Sequence, residues 1–145
     1  MPYNLKGRNV LVTGGSRGLG ALVARKLAAE ECNVAINYIS SVERAEKTAR
    51  SIHDDFHVQT FVVQGDVGVH ADCVNMVRKT IEALGGLDVI VSNAAWTKFT
   101  AFGDLYAMIE EDWDKVCPQS PLSFLMHTVD FGLDMWYGIV LGGKC

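Results

Sequence analysis

Residues 12–21 read VTGGSRGLGA, four glycines in ten positions directly after a run of β-branched residues. Glycine inside a helix or strand costs about 0.5–1 kcal/mol relative to alanine, so crowding it here has to serve the backbone. Two phosphate-binding patterns compete. A Walker loop needs Lys and then Ser or Thr after its last glycine, because the ammonium meets the β/γ-phosphates and the hydroxyl holds Mg²⁺. Gly15 and Gly20 have that spacing, but Ala21 and Leu22 follow, which argues against an NTPase. The GxGxxG dinucleotide spacing also fails, since the glycines stand at 14, 15, 18 and 20. What matches is TGxxxGxG, carried by Thr13, Gly14, Gly18 and Gly20. Such a loop turns tightly out of a strand, lets the backbone approach a pyrophosphate without a Cβ in the way, and aims a helix N-terminus at it. A glycine turn with a purely structural job is the competing reading.

Outward from the loop, apolar runs alternate with amphipathic stretches. RNVLVT (8–13) is a short apolar run of the kind a strand covered on both faces needs. Leu19, Leu22, Val23 and Leu27 then recur at helical spacing, with Arg25, Lys26 and Glu30 turned away. NVAINY (33–38) predicts a second strand, and Ser40 with Glu43 forms a capping-box pattern ahead of a stripe of Val42, Ala45, Ala49 and Ile52. VQTFVVQGDV (58–67) predicts a third strand. Val74, Val77, Ile81 and Leu84 mark a third helix, stopped by Gly85 and Gly86, and LDVIVSNAA (87–95) predicts a fourth strand. This alternation implies a parallel sheet with helices on its faces, right-handed crossovers and the strand order 3-2-1-4. The expected fold class is α/β: a doubly wound, Rossmann-like dinucleotide-binding fold, truncated after the fourth strand.

After Val116 the texture changes. Residues 117–145 hold only Asp130, Asp134 and Lys144 as charged side chains, Pro118 and Pro121 sit at the junction, and no periodicity persists. The chain therefore divides into a dinucleotide-binding half-domain, 1–116, and a tail, 117–145, expected to be partly disordered. The net charge of −4 argues against nucleic acid or a membrane surface as partner. The N-terminal MPYNLKGRN has no apolar signal region, and the charge-free run 116–129 is too short to span a bilayer. Cys32, Cys73, Cys117 and Cys145 are scattered, as are His53, His57, His70 and His127. No metal site is expected, and free thiols in a reducing cytoplasm are the natural reading.

Four features together resemble the short-chain dehydrogenase/reductase family: TGGSRGLG (13–20), GDV (65–67), LDVIVSNAA (87–95) and EEDWDKV (110–116). They span residues 5–116 in the family's order. The resemblance implies that Gly14, Ser16, Arg17, Gly18, Leu19 and Gly20 face the pyrophosphate, while Asp66 and Val67 flank the adenine. Asn93, Ala94 and Ala95 stand where the family has NNAG, and the stretch here reads Ser92-Asn93-Ala94-Ala95, departing at both ends. Alanine for the final glycine adds a methyl group near the ribose. Chain geometry supports the same place, since Gly14 and Asn93 end strands 1 and 4, the edges of the expected crevice.

The choice between NAD and NADP also leaves a trace. An NAD-binding member carries an acidic residue at the end of strand 2 for the ribose 2′-OH. Here Asn37 and Tyr38 end that strand, and Arg17 sits inside the glycine loop. A guanidinium can grip a 2′-phosphate bidentately, and Ser40 and Ser41 can add hydroxyl donors besides capping the helix. NADP(H) is the expected cofactor.

The resemblance further implies a Tyr-x-x-x-Lys pair on a helix. The tyrosine serves as general acid/base, the lysine lowers its pKa, a serine orients the carbonyl, and an asparagine supports the lysine through water. Tyr3, Tyr38, Tyr106 and Tyr137 are followed four positions on by Gly7, Val42, Glu110 and Leu141. Ser120 stands where the asparagine is expected, and Pro118 and Pro121 would break its helix. The expectation is an NADP(H)-binding oxidoreductase type whose carbonyl/alcohol chemistry on CH–OH groups belongs to the full-length form, with this chain inactive alone. A splice product, a retained intron or a frameshift would each produce it. The alternative is a non-catalytic regulatory or interaction module assembling with a full-length relative. Strand 4, with its VIV run (89–91), is expected to be an exposed edge prone to self-association unless WYGIVL (136–141) lies against it.

Overall fold

The computed structural model describes residues 4–96, 99, 101, 103–104, 107–112 and 139–140. Its elements run β1 (Asn9–Val12), α1 (Gly18–Ala29), β2 (Asn33–Tyr38), α2 (Val42–Phe56), β3 (Thr60–Gln64), α3 (His70–Leu84), β4 (Val89–Ser92) and β5 (Ile139–Val140). All pairings are parallel and the sheet order is β3-β2-β1-β4-β5. The expected 3-2-1-4 order is found, with β1 in register against Val34–Ile36 of β2 on one side and Val89–Val91 of β4 on the other.

Strand alternation sorts the core into two layers. Val10, Val12, Val34, Ile36, Val89 and Val91 pack with α1 and α2 on one face. Leu11, Ala35, Val63 and Ile90 pack with Cys73, Met76 and Val77 of α3 on the other. Burial on both faces explains why these strands read as continuous apolar runs.

On α1 the expected stripe is rotated. Gly20, Ala24 and Ala28 are the buried residues, while Leu19 and Leu22 are 59% and 54% exposed. Val23 and Leu27 only flank the core. The physical reason is close approach: the seam between α1 and the sheet admits only small side chains, so the leucines lie outside it. Arg25 ties the outer faces of α1 and α2 together, bonding Asp55 at 2.5 Å and Ser51 at 2.7 Å while lying over Phe56. Gly85 closes α3 as expected, left-handed at φ 81° with its amide on the Ile81 carbonyl.

β5 meets the edge question directly. Ile139 and Val140 pair with Val91 and Ser92 of β4, so β4 is not the sheet's outer strand at its carboxyl end. The rest of 117–145, including Cys117, His127 and Cys145, lies outside the described residues.

Candidate functional site

The site grows from the carboxyl end of the sheet. Thr13, fully buried after β1, donates its hydroxyl to the Val91 carbonyl at 3.3 Å and accepts from the Asn93 and Ala94 amides at 3.0 Å each. Asn93 answers by donating Nδ2 to the Thr13 carbonyl at 2.9 Å. These bonds pin the ends of β1 and β4 together. Beyond them the chain parts, with Gly14 leading to α1 on one face and Ala94 packing against the other. The crevice lies where the winding reverses, the usual ligand position in such sheets.

Two glycines are fixed by chain meeting chain. Gly14 sits at φ 62°, and a Cβ there would press on the Ala94 Cα and the Asn93 amide, both at 3.1 Å. A Cβ on Gly20 would fall on the Gly14 carbonyl. Gly18 is different: it too is left-handed, at φ 55°, but nothing stands within 4 Å of its Cβ position. The structural reading of the loop therefore accounts for Gly14 and Gly20, and open space remains at Gly18.

Behind the loop stands Asn37. Its Oδ1 accepts the Gly14 amide at 3.0 Å, and its carbonyl accepts the Gly15 amide at 3.0 Å. Its Nδ2 donates to the Gly65 carbonyl at 2.9 Å and contacts the Met76 sulfur at 2.8 Å. The side chain is 1% exposed and faces inward, so Asn37 holds the loop from behind instead of facing a cofactor. Alternation decides this: Val34 and Ile36 point toward α1 and α2, which sends Asn37 toward α3 and leaves Tyr38 for the crevice. From α2, Thr48 adds a hydrogen bond to the Ser16 carbonyl at 3.2 Å.

The N-terminus of α1 is left open. Arg17 is its N-cap, extended at φ −158°, without a side-chain cap bond, and no acidic residue occupies the first turn. The first helical bond is donated by Ala21 to Arg17 at 3.3 Å. The amides of Gly18, Leu19 and Gly20 precede the ladder and carry the positive end of the helix dipole. At α3, by contrast, first-turn Asp72 already accepts the Asp66 amide at 2.9 Å.

A cavity of about 690 Å³ opens in front of this helix end. The loop contributes Gly14, Ser16, Arg17, Gly18, Leu19 and Gly20; the end of β2 contributes Tyr38 and Ser40; Asn93, Ala94 and Ala95 come from beyond β4. Asp66 and Val67 do not line it. Asp66 Oδ1 accepts the Gly68 amide at 2.8 Å, and Val67 is buried under α3. The Ser40–Glu43 capping box does not form. The N-cap is Ser41, without a side-chain cap bond, and both serines stand on the cavity wall with Ile39 and Arg44. Sequence reasoning missed Arg44. The available signal was topological: the first turn of the helix after β2 borders the same crevice as the glycine loop. A second hollow, about 600 Å³ along the exposed face of α2, is lined by charges of both signs with Arg50 already paired to Glu46.

Among the described residues no group of three or more His, Cys, Asp or Glu could hold a metal, and no helix is long and apolar enough to cross a membrane. Cys32 and Cys73 are buried and free. Burial, followed by nearby carboxylates, pushes both thiols up to about 11, which removes them as nucleophiles near neutral pH.

A sequence profile for short chain dehydrogenase matches residues 8–134. The chain belongs to the short-chain dehydrogenase family. The match continues past residue 116, where the sequence texture changes. The chain is 37% identical over 116 residues to a short chain dehydrogenase of Claviceps purpurea, covering 80% of this chain and 42% of that one. It is 37% identical over 109 residues to the 3-oxoacyl-(acyl-carrier-protein) reductase FabG of Staphylococcus epidermidis, covering 75% and 43%. A solved short chain dehydrogenase from Burkholderia cenocepacia, in complex with NADP, superposes with a TM-score of 0.75 at 32% identity over 88% of this chain and 50% of that one. This short-chain dehydrogenase chain thus spans between two fifths and half the length of these relatives.

Proposed function

We propose that the crevice binds NADP(H) and that residues 1–116 act as the cofactor-binding unit of an oxidoreductase for carbonyl/alcohol interconversion. The observation that carries this is the uncapped α1 N-terminus opening on one cavity with Arg17, Ser40 and Ser41 and with no acidic side chain among the described residues that line it. The amides of Gly18 to Gly20 suit a pyrophosphate, and the open space at Gly18 admits it. A 2′-phosphate finds a guanidinium and hydroxyls, with no carboxylate among the described lining residues to repel it. When bound, the nicotinamide supplies hydride chemistry; this chain's own residues bind and orient. No Tyr-x-x-x-Lys pair occurs in the 145 residues, so we assign proton transfer to the full-length form of the family. A cytoplasmic setting, where thiols stay reduced, suits the two buried cysteines.

Fluorescence titration tests this reading. NADPH is expected to bind more tightly than NADH, and Arg17→Ala to weaken NADPH much more than NADH. Steady NADPH-dependent carbonyl reduction is not expected from the chain after host reductases are removed. Failure of both nucleotides to bind overturns the proposal.

One observation favours a second reading. Because β5 pairs with the carboxyl end of β4, the chain covers part of its own edge, as a module that persists and assembles with a full-length relative would. Sedimentation decides: a monodisperse monomer that loses solubility when 117–145 are deleted supports the module, whereas self-association of the intact chain supports an edge left open at Val89 and Ile90.

A further inference from the structure

We propose that Thr48 is a positioning residue for the glycine loop, a hydroxyl on α2 that sets the peptide from which the α1 amides start; this rests on the NADP(H) reading above. The two halves of the loop are held differently. Gly14 and Gly15 give their amides to the side chain and the carbonyl of Asn37 at 3.0 Å each, and the Gly14 carbonyl accepts from Asn93 at 3.4 Å. Past Gly15 these anchors end. Among the described residues the Ser16 carbonyl accepts a hydrogen bond from the Thr48 hydroxyl alone, at 3.2 Å. The next fixed point is the Arg17 carbonyl, which accepts the Ala21 amide at 3.3 Å as the first bond of α1. Gly18 supplies no steric restraint, since nothing stands within 4 Å of its Cβ position.

Threonine is a weak helix former, and inside a helix its hydroxyl commonly turns back to the carbonyl one turn earlier. Thr80 does so in α3, donating to the Met76 carbonyl at 2.8 Å. Thr48, inside α2, crosses to the loop instead. Its side chain does not line the cavity, whereas Ser16 and Arg17 do, so it acts on a ligand only through the backbone it holds. The Ser16–Arg17 peptide is trans and planar. Fixing its carbonyl against α2 therefore also fixes the direction of the Arg17 amide, which meets no acceptor among the described residues. The amides of Gly18, Leu19 and Gly20 continue from that peptide into the open helix end. Asn37 thus holds the first half of the loop, and Thr48 keeps the second half in one arrangement.

The test uses the full chain, its Thr48→Val and Thr48→Ser variants, NADPH and NADH as probes, and amide exchange of the free protein followed by NMR. Valine keeps the shape of threonine and removes the donor, whereas serine keeps the donor. Without the tether the binding-competent loop is less populated, and affinity falls by that fraction. Thr48→Val is expected to weaken NADPH and NADH alike by about threefold to tenfold, the usual worth of one neutral hydrogen bond. Thr48→Ser is expected to restore most of the loss. Equal loss separates Thr48 from Arg17, whose removal is expected to fall mainly on NADPH. In free Thr48→Val, exchange is expected to rise at the Ala21 amide, whose acceptor follows the tether, and to stay unchanged at the Gly15 amide, which Asn37 holds. A general loss of stability would not give that pattern. Unchanged affinity for both nucleotides, weakening of NADPH alone, a Thr48→Ser variant as weak as Thr48→Val, or exchange rising equally at Gly15 and Ala21 overturns the Thr48 assignment and leaves the binding reading standing. Failure of the unaltered chain to bind either nucleotide overturns both.

Discussion

At the amino end of the sheet, Asn33 donates to Asn9 at 2.9 Å, Asn9 donates to the Leu84 carbonyl at 3.2 Å, and Asp88 accepts the Asn9 amide at 2.8 Å. At the carboxyl end, Thr13, Asn37 and Asn93 tie the same strands together in much the same way. The ends differ in what is left over. Below, the side chains join strand to strand, and Arg8 is consumed by Asp88 at 2.6 Å. Above, the bonds fix a loop whose next layer remains uncommitted: the first-turn amides of α1, two serines and two arginines. A site in this fold is the set of donors the fold has positioned but not used.

That contrast can be broken experimentally, and the largest effect is expected at the loop. Gly20→Val puts a branched side chain on the Gly14 carbonyl; overpacking of this kind costs about 1–3 kcal/mol, and NADPH binding is expected to vanish in a titration. Asn37→Leu comes next. It leaves the Gly14 amide and the Gly65 carbonyl without their partner, at about 1–3 kcal/mol for each group left buried and unpaired. Chemical denaturation should show the stability loss, and NADPH should bind more weakly because the loop is no longer held.

The amino end is expected to behave otherwise. Asp88→Asn breaks an ion pair whose side chains are 27% and 38% exposed. Pairs open to solvent contribute at most about 1 kcal/mol, so the denaturation midpoint shifts slightly. NADPH affinity should stay within about twofold, because the site is distant and shares no partner. A large affinity change would show that the two ends are coupled.

At neutral pH the smallest effect comes from the thiols, one near each end. Cys32 donates to the Leu5 carbonyl at 3.2 Å and Cys73 to the Val67 carbonyl at 3.4 Å. Both are raised from 9.0 to about 11. A raised thiol pKa means that the folded state prefers the protonated form. The stabilisation is therefore complete below pH 9 and is lost as pH rises toward 11. Denaturation midpoints between pH 8 and 11 should fall, and fall less in a Cys32→Ala/Cys73→Ala variant. An unchanged slope would remove the thiols from the account.

Much of this is legible in the sequence. The second strand, 33–38, agrees with β2 to the residue because its apolar run is bounded on both sides, and the Gly85 stop was fixed by backbone chemistry. What failed failed for local reasons. The α1 stripe favoured Leu19 and Leu22 because periodicity weighs hydrophobicity, while the seam selects for small size and takes Gly20, Ala24 and Ala28. Its place at the end of β2 groups Asn37 with the cofactor-facing residues, whereas strand alternation turns its side chain inward. Asp66 and Val67 are a separate matter: they do not line this cavity, and their place beside the adenine rests on the family resemblance alone.

The sequence by itself determined the order of strands and helices, the family and the glycine turn, since periodicity, turn chemistry and the positions of Gly14 and Gly20 are properties of the chain read along its length. Only the tertiary structure decided which side chains meet. It set Arg44 and Arg17 on the wall of one cavity, although a whole helix and strand separate them in sequence. It brought Ile139 alongside Val91, and it showed that Asn37 reaches Gly14 and Gly65 at once. The reason is that a parallel sheet assembles its carboxyl edge from strands distant in sequence. Which donors are used up there and which remain for a ligand is settled only when those strands lie side by side.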